Sequence, residues 1–292
     1  MAANKYEMAF AQFDPAESEE RILLKTDQII RDHYSRFDTP ETKKFLHGVI
    51  DLTSLNATDS EEFITKFTES VNDFEDTDPT IPSVAAICVY PNFVSTVRET
   101  LTAENVKVAS VSGCFPASQS FIEVKLAETA LAVSDGADEI DIVLNMGKFL
   151  SGDYEAAATE IEEQIAAAKG ATVKVILETG ALKTPENIRR ATILSLFCGA
   201  HFVKTSTGKG YPGASLEAAY TMCKVLKQYY GLFGEVRGIK LSGGIRTTED
   251  AVKYYCLIET LLGKEWLTPA YFRIGASSLV DALRQDINVS ST

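Results

Sequence analysis

Three lysines lie in segments that otherwise have the composition of buried β-strands. Lys174 lies in "TVKVILET", Lys204 in "FVKTSTGKG" and Lys240 in "RGIKLSGG". Burial of an ammonium group is costly, and two neighbouring cations repel each other. A free lysine has a pKa of about 10.4, so near neutral pH it is protonated and a poor nucleophile. Burial and a nearby cation both favour the neutral amine, which can attack a carbonyl group.

This pattern predicts covalent catalysis through a Schiff base between a lysine and a carbonyl compound. The iminium group draws electrons, so an adjacent carbon–carbon bond can break or form without a metal ion. Asp141, in "DEIDIVLN", would balance the surplus charge and move protons. The structural alternative is a buried ion-pair network of Lys174, Glu178, Asp141 and one further lysine, without a covalent role. The spacing favours catalysis and leaves both interpretations open.

A second group of residues predicts a phosphate site. Short glycine- and serine-rich segments, "TGKG", "SGG" and "GASS", follow three strand-like segments near the end of the chain. Backbone N–H groups of such turns and of a helix N-terminus bind phosphate, and barrels often place this site after strands seven and eight. The spacing in "GKG" does not match a Walker loop. The residues concerned are Gly208, Lys209, Gly243, Gly244, Ser277 and Ser278.

Strand-like and helix-like segments alternate from about residue 45, which predicts an α/β protein with a closed (β/α)₈ TIM barrel. An open, doubly wound sheet is the alternative, but no G-x-G-x-x-G motif follows the first strand. The strand candidates are "FLHGVIDL", "SVAAICVY", "NVKVASVS", "DEIDIVLN", "TVKVILET", "HFVKTST", "RGIKLSGG" and "YFRIGAS".

Alternation along each strand predicts which side chains face the barrel interior. In "DEIDIVL" the apolar positions, beginning with Ile140, should meet the helices, so Asp141 points inward. The same rule turns Lys174, Lys204 and Lys240 inward. We therefore expect the lysines and the aspartate to lie close together.

Composition limits the partners and the domain organisation. The chain has 292 residues and a formal net charge of -13, which argues against nucleic acid or an anionic membrane as the main partner. Neither a signal peptide nor a membrane span is expected, and five scattered cysteines suit a reducing, cytoplasmic protein. Residues 1–45 are predicted to form a helical extension packed on the barrel. Residues 46–292 would form the catalytic barrel domain.

Seven motifs resemble the deoxyribose-phosphate aldolase family of class I aldolases. The resemblance runs from about Phe45 to Leu283. The motifs are "DLTSLN", "ICVYPNFV", "ADEIDIV", "VILETG", "FVKTSTGKG", "IKLSGGIRT" and "FRIGASSL".

The resemblance implies a role for each predicted catalytic residue. Lys204 would form the Schiff base, Lys240 would lower the pKa of Lys204, and Asp141 would assist proton transfer. Asp51 would lie near the sugar hydroxyls, and Cys88 would line the pocket beside the lysine. The remaining substrate-binding positions are Thr207, Gly208, Lys209, Gly243, Gly244, Ser277 and Ser278.

The implied reaction is the reversible cleavage of 2-deoxy-D-ribose 5-phosphate to acetaldehyde and D-glyceraldehyde 3-phosphate, as part of deoxyribonucleotide catabolism. We expect no cofactor and no metal, and a homodimer is one expected assembly. The alternatives are a transaldolase-like barrel aldolase acting on ketoses and a phosphosugar-binding barrel without catalysis. Intact lysines and Asp141 count against the last alternative.

Three features depart from the family pattern, and one of them is the 45-residue leader, which is longer than in the shortest members. Leu241 and Ser242 stand where many members have proline and alanine, which would alter the loop near the phosphate. The C-terminal sequence "DINVSST" lacks the tyrosine that some members use in proton transfer. Tyr211 or a water molecule would have to take that role, if it is needed.

Overall fold

A closed barrel of eight parallel strands forms the centre of the computed structural model, which describes residues 5–289. The strands pair in chain order, and β8 closes the barrel against β1 with Asp51 opposite Gly275. This confirms the predicted (β/α)₈ barrel. The strands are β1 Ile50–Thr53, β2 Ala86–Val89, β3 Lys107–Val111, β4 Glu139–Val143, β5 Thr172–Ile176, β6 Phe202–Lys204, β7 Gly238–Ser242 and β8 Phe272–Ala276.

Helices surround the barrel, and side-chain caps fix where several of them begin. Asp153 accepts a hydrogen bond from the N–H of Ala156, and Thr184 accepts one from the N–H of Asn187. The helices are α1 Lys5–Phe10, α2 Glu19–Phe37, α3 Pro40–Gly48, α4 Glu61–Thr77, α5 Val94–Thr100, α6 Ile122–Ser134, α7 Met146–Leu150, α8 Tyr154–Ala167, α9 Thr179–Leu182, α10 Pro185–Phe197, α11 Leu216–Phe233, α12 Thr248–Leu261 and α13 Leu279–Val289, with 3-10 turns at Pro91–Phe93 and Lys264–Trp266.

The first predicted strand is wrong at its beginning. Residues 45–48 of "FLHGVIDL" belong to α3, and the strand starts only at Ile50. The side chain of Thr39 caps α3 and Pro40 occupies its first turn, so the helix continues through the apolar residues that suggested a strand. A division of the chain after residue 45 would therefore fall within a helix.

The N-terminal helices contact the outer helices of the barrel. Arg189 of α10 donates a hydrogen bond to the carbonyl oxygen of Phe10 at 3.1 Å. Tyr220 of α11 donates to Glu17 at 2.9 Å, just before α2. The separate N-terminal extension stays a prediction, since these contacts alone do not define a domain. Within residues 5–289, no helix is long and apolar enough to cross a membrane.

The interior of the barrel is divided between apolar and charged side chains. Small apolar residues from β2 and β3 (Ala86, Cys88, Ala109 and Val111) form one buried cluster with Leu55. The inward positions of β4 to β8 and of β1 instead carry buried charged residues. Tyr90 and Phe115 pack against the apolar cluster near the carboxyl ends of the strands.

Candidate active site

A single carboxylate oxygen joins the two lysines predicted to act together. Oδ2 of Asp141 accepts a hydrogen bond from Nζ of Lys204 at 2.7 Å and from Nζ of Lys240 at 2.8 Å. The two lysines are direct register partners on β6 and β7. Because both amines touch one oxygen, they are less than about 6 Å apart, near enough for each charge to affect the other.

The pKa values of the two lysines are shifted in opposite directions. Burial lowers the pKa of Lys204, and the neighbouring charge of Lys240 lowers it further, against the opposing effect of Asp141. Burial alone would lower the pKa of Lys240, but the carboxylates of Asp141 and Asp51 raise it. Lys240 thus stays an ammonium ion, while the balance at Lys204 shifts towards the neutral amine.

Asp141 remains ionised between these groups. Burial alone would raise the pKa of this carboxyl, but Lys174, Lys204 and Lys240 hold it well below its usual range. Its second oxygen, Oδ1, accepts a hydrogen bond from Lys174 at 2.9 Å. The Asp141 carboxylate therefore accepts hydrogen bonds from all three inward lysines.

The ion pairs continue deeper into the barrel, through two residues that the sequence prediction missed. Glu139 lies 2.6 Å from Lys174 and 2.7 Å from Arg273, which in turn lies 2.6 Å from Asp51. Alternation already placed Glu139 on the same face as Asp141. Arg273 lies two positions before the "GASS" segment, and its inward direction could have been read from the same alternation.

Glu178 does not join this network, so its predicted place in a structural ion-pair cluster is wrong. It has a left-handed backbone, with φ of 56°, where the chain leaves β5. Its carboxylate accepts hydrogen bonds from the N–H of Thr207 at 3.3 Å and from the Thr207 hydroxyl. Burial raises the pKa of Glu178. The residue positions the loop after β6.

A cavity of about 330 Å³ opens at the carboxyl ends of the strands and contains the predicted phosphate-site residues. Lys204 lies at its inner side, whereas Lys174 and Lys240 are fully buried. Gly243 and Gly244 have φ of 87° and 85°, a conformation that glycine adopts without strain. The predicted residues that line the cavity are Lys204, Thr207, Gly208, Lys209, Gly243, Gly244, Ser277 and Ser278.

Three predicted positions do not line this cavity. Asp51 is fully buried, with Oδ2 at 2.5 Å from Nζ of Lys240. Cys88 is also fully buried, and burial raises the pKa of its thiol, so it remains protonated. Tyr211 is about half exposed. The C-terminal residues 290–292, part of the departure noted at "DINVSST", lie outside the described residues.

Comparisons with known proteins agree with the fold. A human protein named deoxyribose-phosphate aldolase is 40% identical over 207 residues, which cover 70% of this chain and 65% of that protein. A Caenorhabditis elegans relative that carries the same name provisionally is 41% identical over 234 residues, 80% of this chain and 77% of that protein. This chain thus spans slightly under two thirds of the human relative.

A solved structure, described as the unique tetrameric structure of deoxyribose phosphate aldolase from Aeropyrum pernix, is 30% identical with a TM-score of 0.65. The match covers 88% of this chain and 96% of that one. Fold and relatives together define the chain as an aldolase, a lyase built on a (β/α)₈ barrel. Residues 47–259 match the model described as "DeoC/LacD family aldolase", and the chain belongs to that family. The family and the lyase class predicted from the sequence are confirmed.

Proposed function

We propose that this chain cleaves 2-deoxy-D-ribose 5-phosphate reversibly to acetaldehyde and D-glyceraldehyde 3-phosphate through a Schiff base on Lys204. The observation that carries the proposal is the oxygen shared by Lys204 and Lys240 on Asp141. It supplies a buried amine with a lowered pKa at the inner side of a cavity. The relatives named deoxyribose-phosphate aldolase support the same substrate.

The reaction begins when the neutral amine of Lys204 attacks the aldehyde carbon of the open-chain sugar. Loss of water leaves an iminium ion, which draws electrons from the bond between C2 and C3 as the C3 hydroxyl loses its proton. Glyceraldehyde 3-phosphate departs, and the two-carbon fragment stays on Lys204 as an enamine. Protonation of its terminal carbon and hydrolysis release acetaldehyde and restore the amine.

The charged neighbours of Lys204 have supporting roles. Lys240 favours the neutral amine by repulsion. The ionised Asp141 holds both amines, and we expect it to relay protons near the reacting carbon atoms. The apolar cluster that includes Cys88 provides a wall on the opposite side of the barrel. Asp51 acts through Lys240, which it contacts at 2.5 Å.

The outer part of the cavity suits the phosphate group of the sugar. Gly243 and Gly244 line this part of the cavity, and Ser277 and Ser278 precede α13, whose first N–H groups lack helical partners. Lys209 adds a positive charge to the same cavity. A phosphosugar would then reach from the rim to Lys204.

Reductive trapping tests the proposal. Acetaldehyde with sodium cyanoborohydride should add one ethyl group to Lys204, located by peptide mass spectrometry. A matched experiment with dihydroxyacetone tests for a transaldolase-like reaction. In that case the lysine would be labelled by the ketose and not by acetaldehyde. An adduct on another residue, or none, would contradict the assignment of Lys204. Phosphosugar binding without turnover would favour a binding protein.

Two further predictions concern the setting of the enzyme. We propose a cytoplasmic enzyme of deoxyribonucleotide catabolism, a setting that suits its five free cysteines. We also propose a homodimer, which light scattering after size-exclusion chromatography would distinguish from a monomer or a tetramer.

A further inference from the structure

Seven charged side chains form one continuous ion-pair network inside the barrel. Contacts of 3.5 Å or less connect every member to at least one other, from the cavity to the opposite end of the strands. The network contains four basic residues (Lys174, Lys204, Lys240 and Arg273) and three acidic residues (Asp51, Glu139 and Asp141). All are nearly or fully buried, so solvent does little to screen the one unmatched positive charge.

The ion-pair partners indicate which base gives up its proton. Lys174 contacts three carboxylates, and Lys240 and Arg273 contact two each. Within residues 5–289, Lys204 contacts one carboxylate, and it shares an oxygen of that carboxylate with Lys240. A guanidinium group does not lose its proton in proteins. The network is therefore balanced when Lys204 is the neutral member.

Two other titratable groups, Cys88 and Glu178, lie near Lys204, and neither forms an ion pair with it among residues 5–289. Cys88 is held as a neutral thiol, because burial raises its pKa. Glu178 is bound by the N–H and hydroxyl of Thr207 rather than by a lysine. Neither belongs to the chain of ion pairs.

Arg273 and Glu139 close the network at the end remote from the cavity. Both line a separate cavity at the amino ends of the strands, and Nε of Arg273 donates to the carbonyl oxygen of Pro269. Arg273 is the register partner of Lys240 and binds Asp51 and Glu139 with its two terminal nitrogens. Its permanent charge satisfies those two acids, which would otherwise attract protons to the lysines.

We propose that Arg273 and Glu139 are positioning residues that set the charge state of Lys204 from the opposite end of the barrel. This inference rests on the proposed Schiff-base function. The two residues touch neither the substrate cavity nor Lys204 itself. Their effect passes through Asp51, Lys240 and Asp141.

The test is whether Arg273→Gln and Glu139→Gln shift the pH profile of the trapping reaction in opposite directions. In Arg273→Gln, three lysines face three acids, so Lys204 keeps its proton to higher pH. We expect the pH profile of cyanoborohydride trapping with acetaldehyde to move by about one unit to higher pH, with an about tenfold slower reaction at pH 7. Glu139→Gln removes an acid and should move the profile to lower pH. The double variant should return towards the wild-type profile.

Conservative and matched variants separate charge from packing. Arg273→Lys keeps the charge and should keep the wild-type profile even if thermal stability falls. Arg189→Gln removes an equally buried arginine, paired with Glu186 at 2.9 Å outside the barrel interior, and should leave the profile unchanged. A purely structural role would slow all the barrel variants without moving their profiles.

The outcomes distinguish this inference from the proposed function. If wild-type enzyme gives no adduct on Lys204, the Schiff-base function is wrong and this inference falls with it. If Lys204 is trapped normally but Arg273→Gln and Glu139→Gln shift in the same direction, or not at all, only the remote control of its charge is overturned. Where Arg273→Gln fails to fold, the direction of the Glu139→Gln shift decides alone.

Discussion

Two buried lysines, Lys125 and Lys204, have very different numbers of hydrogen-bond acceptors around their amine groups. Nζ of Lys125, on α6, contacts the carbonyl oxygen of Ser118 at 2.5 Å, its hydroxyl at 2.9 Å and Glu160 at 2.8 Å. These three acceptors match the three N–H bonds of an ammonium group. For Lys204, the contacts among residues 5–289 include one hydrogen-bond acceptor, Asp141.

The comparison shows what separates a structural buried lysine from a reactive one. Lys125 gains one hydrogen bond for every proton it carries, and it ties the loop after β3 to α8. Lys204 would lose little by giving up a proton, because its single acceptor already binds Lys240. It also lines the cavity, so its lone pair can reach a carbonyl carbon. Burial alone therefore does not identify the nucleophile.

The largest expected effect follows removal of the proposed nucleophile. Lys204→Met should lower kcat/KM by about 10⁴-fold or more, equivalent to about 5 kcal/mol of transition-state stabilisation, because no Schiff base can form. The measurement is the cleavage rate of 2-deoxyribose 5-phosphate with a coupled assay for the triose product. Substantial activity in this variant would contradict the contrast between the two lysines.

Removal of the shared carboxylate should have the next largest effect. Asp141→Asn leaves three lysines without their common anion and removes a proton carrier, so kcat should fall by about 10²- to 10⁴-fold. The free energy of unfolding should fall by about 3–5 kcal/mol, because buried cations lose their partner. Steady-state kinetics and urea unfolding measure the two quantities. Wild-type values for both would show that Asp141 is not the common partner.

The pH dependence tests how Lys240 acts on its neighbour. A lowered pKa means that the reactive amine of Lys204 accumulates as pH rises through that pKa, below the usual value for lysine. Lys240→Met removes the repulsion, so the pKa should rise and the profile of kcat/KM should move about one to two units to higher pH. A loss of activity at every pH, with an unmoved profile, would instead assign Lys240 a different role.

The smallest effect on catalysis is expected at the structural lysine. Lys125→Met should leave kcat/KM within about threefold of wild type and the adduct on Lys204 intact. The free energy of unfolding should fall by about 1–3 kcal/mol through lost hydrogen bonds, less than for Asp141→Asn, since Lys148 still pairs with Glu160 at 2.6 Å. Urea unfolding measures the free energy of unfolding, and the product assay measures kcat/KM. A loss of kcat/KM as large as that of Lys204→Met would contradict the distinction between a structural and a reactive lysine.

Local pattern was enough to predict the strands and the inward direction of the central residues. Side chains alternate with a period of two, so the apolar residues around Asp141, Lys174, Lys204 and Lys240 already indicated which way each points. The same pattern failed at residues 45–48, where the helix capped by Thr39 continues through residues that also suit a strand.

The eight βα units, the family and the glycine- and serine-rich segments at the carboxyl ends of the strands could be predicted from the sequence. How the buried charges are shared among partners depends on the tertiary structure. Closure of β8 on β1 brings Arg273 to Asp51 across 222 positions of the chain, and a left-handed turn directs Glu178 to Thr207 instead of to a lysine. Alternation is a property of one strand, whereas an ion-pair partner depends on the register and closure of the whole barrel.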